Sequence, residues 1–352
     1  RRSEFGGPDE YGTTYESRVW SHKWALYTLG GGQGWSSEEG VRVYDYHISS
    51  GVWGTSGSDI NRIGVITHET GHYLGLLDMY DYNKPGQGVG NYCLMGNSWG
   101  SDNTQYYPPL LSPWSKMRAG WLTPTEIRAS GTYHLRPSHT YEDAYKISEG
   151  YPPGEYLLIE NRRRGRAVEA YFYDDTFPGA DDVKPLGLII YHVDESENDW
   201  NQEGYPGQTG FTDPWPNNGN HYKVSVLQAD GNYHLERGSS QGDRFDFYRG
   251  DAGAGYVNLL DHGGTGFFPN TDSYRGGIYN AGRPGHRILN IGPSSDSMSF
   301  YVEMAPPTAP PTEAPTDDPT SAPTEAPTTA PTEGPTEAPA GGPTVTPTGG
   351  PA

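Results

Sequence analysis

The chain has 352 residues, enough for about two ordinary domains, with 33% hydrophobic residues and a formal charge of −20. That acidic balance argues against nucleic acid as a partner, because phosphate binding needs a basic surface. No apolar run approaches the ~20 residues that span a membrane, no signal peptide is visible, and a single cysteine, Cys93, excludes an intramolecular disulfide.

Val19–Tyr27 and Val41–Ile48 read as strands, separated by the glycine loop Gly30–Gly34. A helix is predicted from near Asp59, capped by Ser58 or Asp59. Ile60, Ile63, Ile66 and Leu74, with Val65 and Tyr73 beside them, give it an apolar stripe, and Gly75 stops it. A loop rich in glycine and asparagine follows. Ser112–Gly120 reads as a short helix with serine as cap and Pro113 in its first turn. Beyond Leu122 short strand-like runs alternate with turns: Gly131–Arg136, Tyr156–Glu160, Leu186–Val193, Lys223–Gln228 and Ser299–Glu303. They predict an antiparallel, sandwich-like all-β region packed on the first part. From Pro306 the sequence is PTEAP-like. Such a segment cannot bury a core and reads as a disordered, extended stalk. It holds six acidic residues and no basic ones, which leaves −14 on the rest.

The predicted helix carries His68-Glu69-Thr70-Gly71-His72, and Asp78 follows six residues after His72. Two histidines four apart share a helix face and can hold one metal ion. A break at Gly75 lets Asp78 return toward the same ion. Two imidazoles and one carboxylate form a zinc set that leaves a fourth position open. Zinc makes a water acidic enough for Glu69 to take its proton. The plainer alternative is a core helix with two satisfied histidines.

Other residues invite weaker readings. Asp230, Glu236, Asp243, Asp246 and Asp251 concentrate carboxylates without EF-hand spacing, as a calcium site or a solvated acidic face. His192 and Asp194, on a predicted strand, serve packing and pairing. Arg162-Arg163-Arg164-Gly165-Arg166 reads as a solvated turn or an exposed protease-sensitive site. His22 and His47 are structural, and Cys93 is a small core residue.

The run from His68 through Asp78 to Met79-Tyr80-Asp81 resembles the signature of the immune-inhibitor-A-type secreted metallopeptidases. Further segments resemble that family in the same order: Val19–His22, Cys93–Gly96, Pro113–Leu122, Tyr156–Arg162, Gly187–Asp194 and Leu227–Gly231. The resemblance implies a secreted zinc endopeptidase, often calcium-stabilised, with His68, His72 and Asp78 as zinc ligands and Glu69 as general base. It also implies Met95 as a methionine under the site. Met95 lies 17 residues beyond Asp78 in a Gly/Asn-rich turn, which fits a supporting floor. Relatives use a tyrosine two residues after that methionine to help the oxyanion. Asn97 stands there instead, and Tyr106 and Tyr107 are substitutes.

The expected fold class is α+β. A zincin- or metzincin-like catalytic domain spans 1–125, shortened at its amino terminus because only 67 residues precede His68. A β-rich domain follows at 126–304, and the Pro/Thr-rich stalk at 305–352. The expected partners are protein or peptide substrates, without nucleic acid or a membrane span. The expected location is extracellular, with the tail as a tether to cell wall or matrix. The rival readings are a binding or adhesion module that keeps the fold without catalysis, and a carbohydrate- or matrix-binding β domain.

Overall fold

The computed structural model describes residues 11–14, 19–27, 31–55, 58–82, 86–163, 186–197, 204–205, 221–250, 257–261, 269–274 and 285–305. The segment read as a stalk from Pro306, and Asp251, lie outside them. The fold is mixed α/β, with few helices and several sheets.

Two hairpin-like pairs come first. Strand β1 (His22–Ala25) pairs antiparallel with β4 (Asp45–Ile48), and β2 (Trp35–Ser36) with β3 (Arg42–Val43). Helix α1 (Ile63–Tyr73) begins later than the sequence suggests. Residues 59–61 are already committed to extended pairing: Val52 bridges Ile60, and Trp53 N donates to Asp59 O. Arg62 is therefore the N-cap, without a side-chain cap bond. The loop at Gln105 satisfies the first helical amides instead. Gly64 N donates to Gln105 O and Val65 N to Gln105 Oε1, each an otherwise orphan donor. Arg62 is fixed between the rings of Trp53 and Tyr106.

Helix α1 also inverts the expected face. Its buried residues are Gly64, Val65, His68, Glu69 and Gly71, whereas Ile60, Ile63 and Leu74 are exposed. The loop carrying Met95–Trp99 packs on the histidine side. A Cβ at Gly64 would stand 2.1 Å from Ser98 O, so that approach needs glycine. The helix ends as predicted at Gly75, which adopts φ +77°.

Helix α2 (Pro113–Arg118) follows its prediction closely: Ser112 Oγ accepts from Ser115 N, and proline occupies the first turn. The remaining strands are β5 (Thr125–Glu126), β6 (Gly131–Leu135), β7 (Tyr145–Ile147), β8 (Glu155–Asn161), β9 (Leu188–Asp194), β10 (Val224–Val226), β11 (Arg287–Leu289) and β12 (Met298–Glu303). They form a five-stranded sheet, ordered β10-β9-β8-β7-β5, and a three-stranded sheet, ordered β11-β12-β6. All pairings are antiparallel except β5 with β7, which departs from the expected all-antiparallel region.

Strands β8 and β9 are buried along their whole length. Their alternate residues feed two cores, as the two-residue strand period requires. Tyr156, Leu158, Ile189, Tyr191 and Val193 join Leu76, Met79, Tyr92, Met95 and Trp114. Leu157, Ile159, Leu188 and Ile190 join Leu135, Met298, Phe300 and Val302 of the smaller sheet. The first core continues across residue 125, so the metal-bearing segment rests directly on the larger sheet.

Arg162 contradicts the solvated reading of its basic run. It is buried, and its Nε donates to Glu160 Oε1 at 2.8 Å while another guanidinium nitrogen donates to Tyr92 O. A buried charge is tolerated when it is paired and hydrogen-bonded. Arg163 pairs with Asp296, and 164–166 lie outside the described residues.

Candidate metal centre

Helix α1 sets His68 and His72 one turn apart, with ring centroids 4.9 Å from each other. Each ring is oriented through its Nδ1. His68 Nδ1 lies 3.2 Å from Leu94 O, and His72 Nδ1 lies 2.8 Å from Leu76 O. Both Nε2 atoms are thereby turned toward the chain returning from Gly75. His68 Nε2 stands 2.9 Å, and His72 Nε2 3.3 Å, from the same Asp78 Oδ1. Anchoring the second ring nitrogen in this way is the usual outer support of a metal-binding histidine.

The electrostatics follow from that convergence. Burial alone would raise the Asp78 carboxyl, but hydrogen bonds from His68 and His72 outweigh it and hold it well below the ordinary range. Burial likewise opposes charge on His72, yet its bonds to Asp78 and the Leu76 carbonyl raise it above the ordinary histidine value. Tyr82 donates to Asp78 Oδ2 and fixes the other carboxylate oxygen.

Glu69 is buried beside this group and lines a cleft with Trp20, Ser21, His68, Tyr80 and Asn97. A second cleft, lined by Lys23, Trp24, His72, Leu77 and Asp78, opens on the other side of the histidines. Trp20 and Ser21, just before β1, line the first cleft, and Lys23–Ala25 of β1 line the second. Strand β4, inside the predicted strand Val41–Ile48, pairs with β1 on this side of the helix.

Met95 is fully buried, and a Cβ on Gly71 would come within 2.8 Å of its Sδ. It therefore lies against the helix between the two histidine turns. Tyr106 is half exposed and its ring covers Arg62. The tyrosine that lines the cleft is Tyr80, whose ring stacks with His68 at 6.2 Å. Sequence reasoning missed both Tyr80 and Tyr82, although they stand two and four residues after Asp78. Asn97 is tied to Asn91 and Gln241.

Of the acidic set proposed for calcium, Asp230, Asp243 and Asp246 lie near one another, and Asp251 is outside the described residues. Asp230 and Asp243 converge with His234. Glu236 accepts from Gln228, and Asp246 Oδ2 accepts from Tyr92 and the Asp243 amide. Cys93 is buried in the core. Among the described residues no helix is long and apolar enough to cross a membrane.

Residues 3–122 match the family model described as the immune inhibitor A peptidase M6 catalytic domain. This stretch, which holds His68, Glu69, His72, Asp78 and Met95, is thus similar to the catalytic domain of a peptidase family that is typically metal-dependent. A comparison with curated proteins gives no match.

Proposed function

We propose that this chain is a secreted zinc endopeptidase with a zincin-like catalytic segment, using His68, His72 and Asp78 as metal ligands and Glu69 as general base. The observation that carries the reading is the convergence of two Nε2 atoms and Asp78 Oδ1 beside a buried glutamate, between two clefts. The match over residues 3–122 supports it. The donor set of two imidazoles and one carboxylate suits zinc better than calcium or magnesium. Zinc held there would supply a Lewis acid and a water titrating near ~7.

The protein's own groups perform the rest. Glu69 takes a proton from the attacking water and delivers it to the departing amine. Leu94 O and Leu76 O keep the imidazoles turned to the metal. Tyr80 holds its hydroxyl beside Asp78 and Tyr82, from where it would donate to the developing oxyanion. Burial first, and the Asp78 charge second, raise its ionisation well above the ordinary value, so it remains a donor. An extended peptide lying along residues 20–27 would place side chains in the two clefts that flank the histidines. Met95 supports the helix from below, the Pro/Thr-rich tail tethers the enzyme outside the cell, and calcium is a structural partner.

Casein hydrolysis tests the reading. Cleavage should disappear with a zinc chelator and return with added zinc. Chelator-insensitive cleavage, or none by zinc-loaded chain, would contradict it.

A further inference from the structure

We infer that the chain holds a second zinc-class ion, ligated by Asp194, Glu197 and His221, at the junction of β9 and β10. One ligand atom from each of the three lies within 4.8 Å of the others. Asp194 is the last residue of β9 and is fully buried; His221 is nearly so. The antiparallel pairing of β9 with β10 brings them together, since Val224 lies opposite Val193 and Asp194 N donates to Lys223 O.

A hydrogen bond from His221 to Asp194 accounts for one of the two contacts and leaves the approach of Glu197 unexplained. His221 Nε2 stands 3.1 Å from Asp194 Oδ2 and 3.7 Å from Glu197 Oε1. One ring nitrogen carries at most one proton, and that proton serves one acceptor. A contact at 3.7 Å is too long for a hydrogen bond. Two carboxylates thus converge on one imidazole nitrogen in a largely buried place, where like charges oppose each other. Ligand atoms ~2.0–2.2 Å from a tetrahedral zinc stand ~3.3–3.6 Å apart, and the two observed separations bracket that range. His68 and His72 approach Asp78 in the same way, at 2.9 and 3.3 Å.

Asp194 is oriented for this role. Its Oδ1 accepts from both Ser196 N and Ser196 Oγ, which directs Oδ2 toward His221. Lys223 Nζ is engaged with Glu195 O. The imidazole favours zinc over calcium or magnesium, which prefer all-oxygen sites. Three protein ligands with one partly exposed, Glu197, leave room for a water. Bound there, the ion would tie the turn after β9 to the entry of β10, as a structural staple outside the catalytic cleft.

Zinc per chain, measured on full-length protein dialysed against zinc-free buffer, tests the inference. The parent should hold about two zinc ions, and Glu197→Ala about one with unchanged casein cleavage. His72→Ala should also hold about one, but without cleavage. Glu197 is partly exposed and its loss leaves the strand pairing intact, so this variant decides the matter even if His72→Ala does not fold. A Glu197→Ala chain with the parent's zinc content overturns the inference, as does a parent that binds only the zinc lost in His72→Ala.

Discussion

Replacing Gly71 with alanine places a methyl group 2.8 Å from Met95 Sδ and 3.5 Å from Leu76 Cδ1. Two opposing effects follow. Alanine inside a helix is favoured over glycine by about 1 kcal/mol, whereas overpacking a close-packed core costs about 1–3 kcal/mol. The net for Gly71→Ala is a loss of about 0–2 kcal/mol by these figures. Met95→Ala empties a fully buried position, at about 2–5 kcal/mol. The double variant separates the terms. The propensity gain is common to both backgrounds and cancels, while the clash exists only when Met95 is present. The double variant should therefore be more stable than the sum of the single losses, by about 1–3 kcal/mol. Urea denaturation of the four chains at matched zinc supplies the numbers. Additivity within about 0.3–0.5 kcal/mol would mean that Met95 does not press on the helix between the two histidines.

Three further outcomes follow from the site. Asp78→Ala removes the oxygen that both Nε2 atoms face. Its zinc affinity should fall more than the ~10–100-fold lost with an outer-sphere partner, and unchanged affinity in a chelator competition would place the third ligand elsewhere. Because Asp78 raises His72, protons should compete with zinc from a pH above the ordinary histidine value of ~6.5. Affinity should decline steadily as pH falls through that raised value, and a flat profile between about pH 8 and 5 would contradict the raised state. Tyr80→Phe should lower kcat about 10²–10³-fold with little change in KM, as for loss of one oxyanion donor. An unaltered kcat would remove Tyr80 from the chemistry.

What the sequence made legible follows from local physics. Helix α2 needs only Ser112, Pro113 and the following residues, and both cap and proline stand where expected. Strands β8 and β9 carry the apolar runs Tyr156–Ile159 and Leu188–Tyr191, which suits strands covered on both faces. The start of α1 was misread because the pairing of residues 51–53 with 59–61 competes with a cap at Asp59. Its apolar stripe pointed the wrong way, since the histidine face is the one that the Met95–Trp99 loop covers. Strands β5, β7 and β11 are too short for a periodic signal. Arg162 reads as solvated within a basic run, but its partner Glu160 lies two residues back, in β8, and Tyr92 is distant in sequence. Asp194 and His221, 27 positions apart, meet only through strand register, which no local pattern encodes.

The most direct test of the central claim is casein turnover by a Glu69→Ala chain whose zinc content equals that of the parent. The account predicts retained zinc with turnover reduced about 10²–10⁴-fold, the contribution of a positioned general base. Full turnover with zinc retained would contradict it.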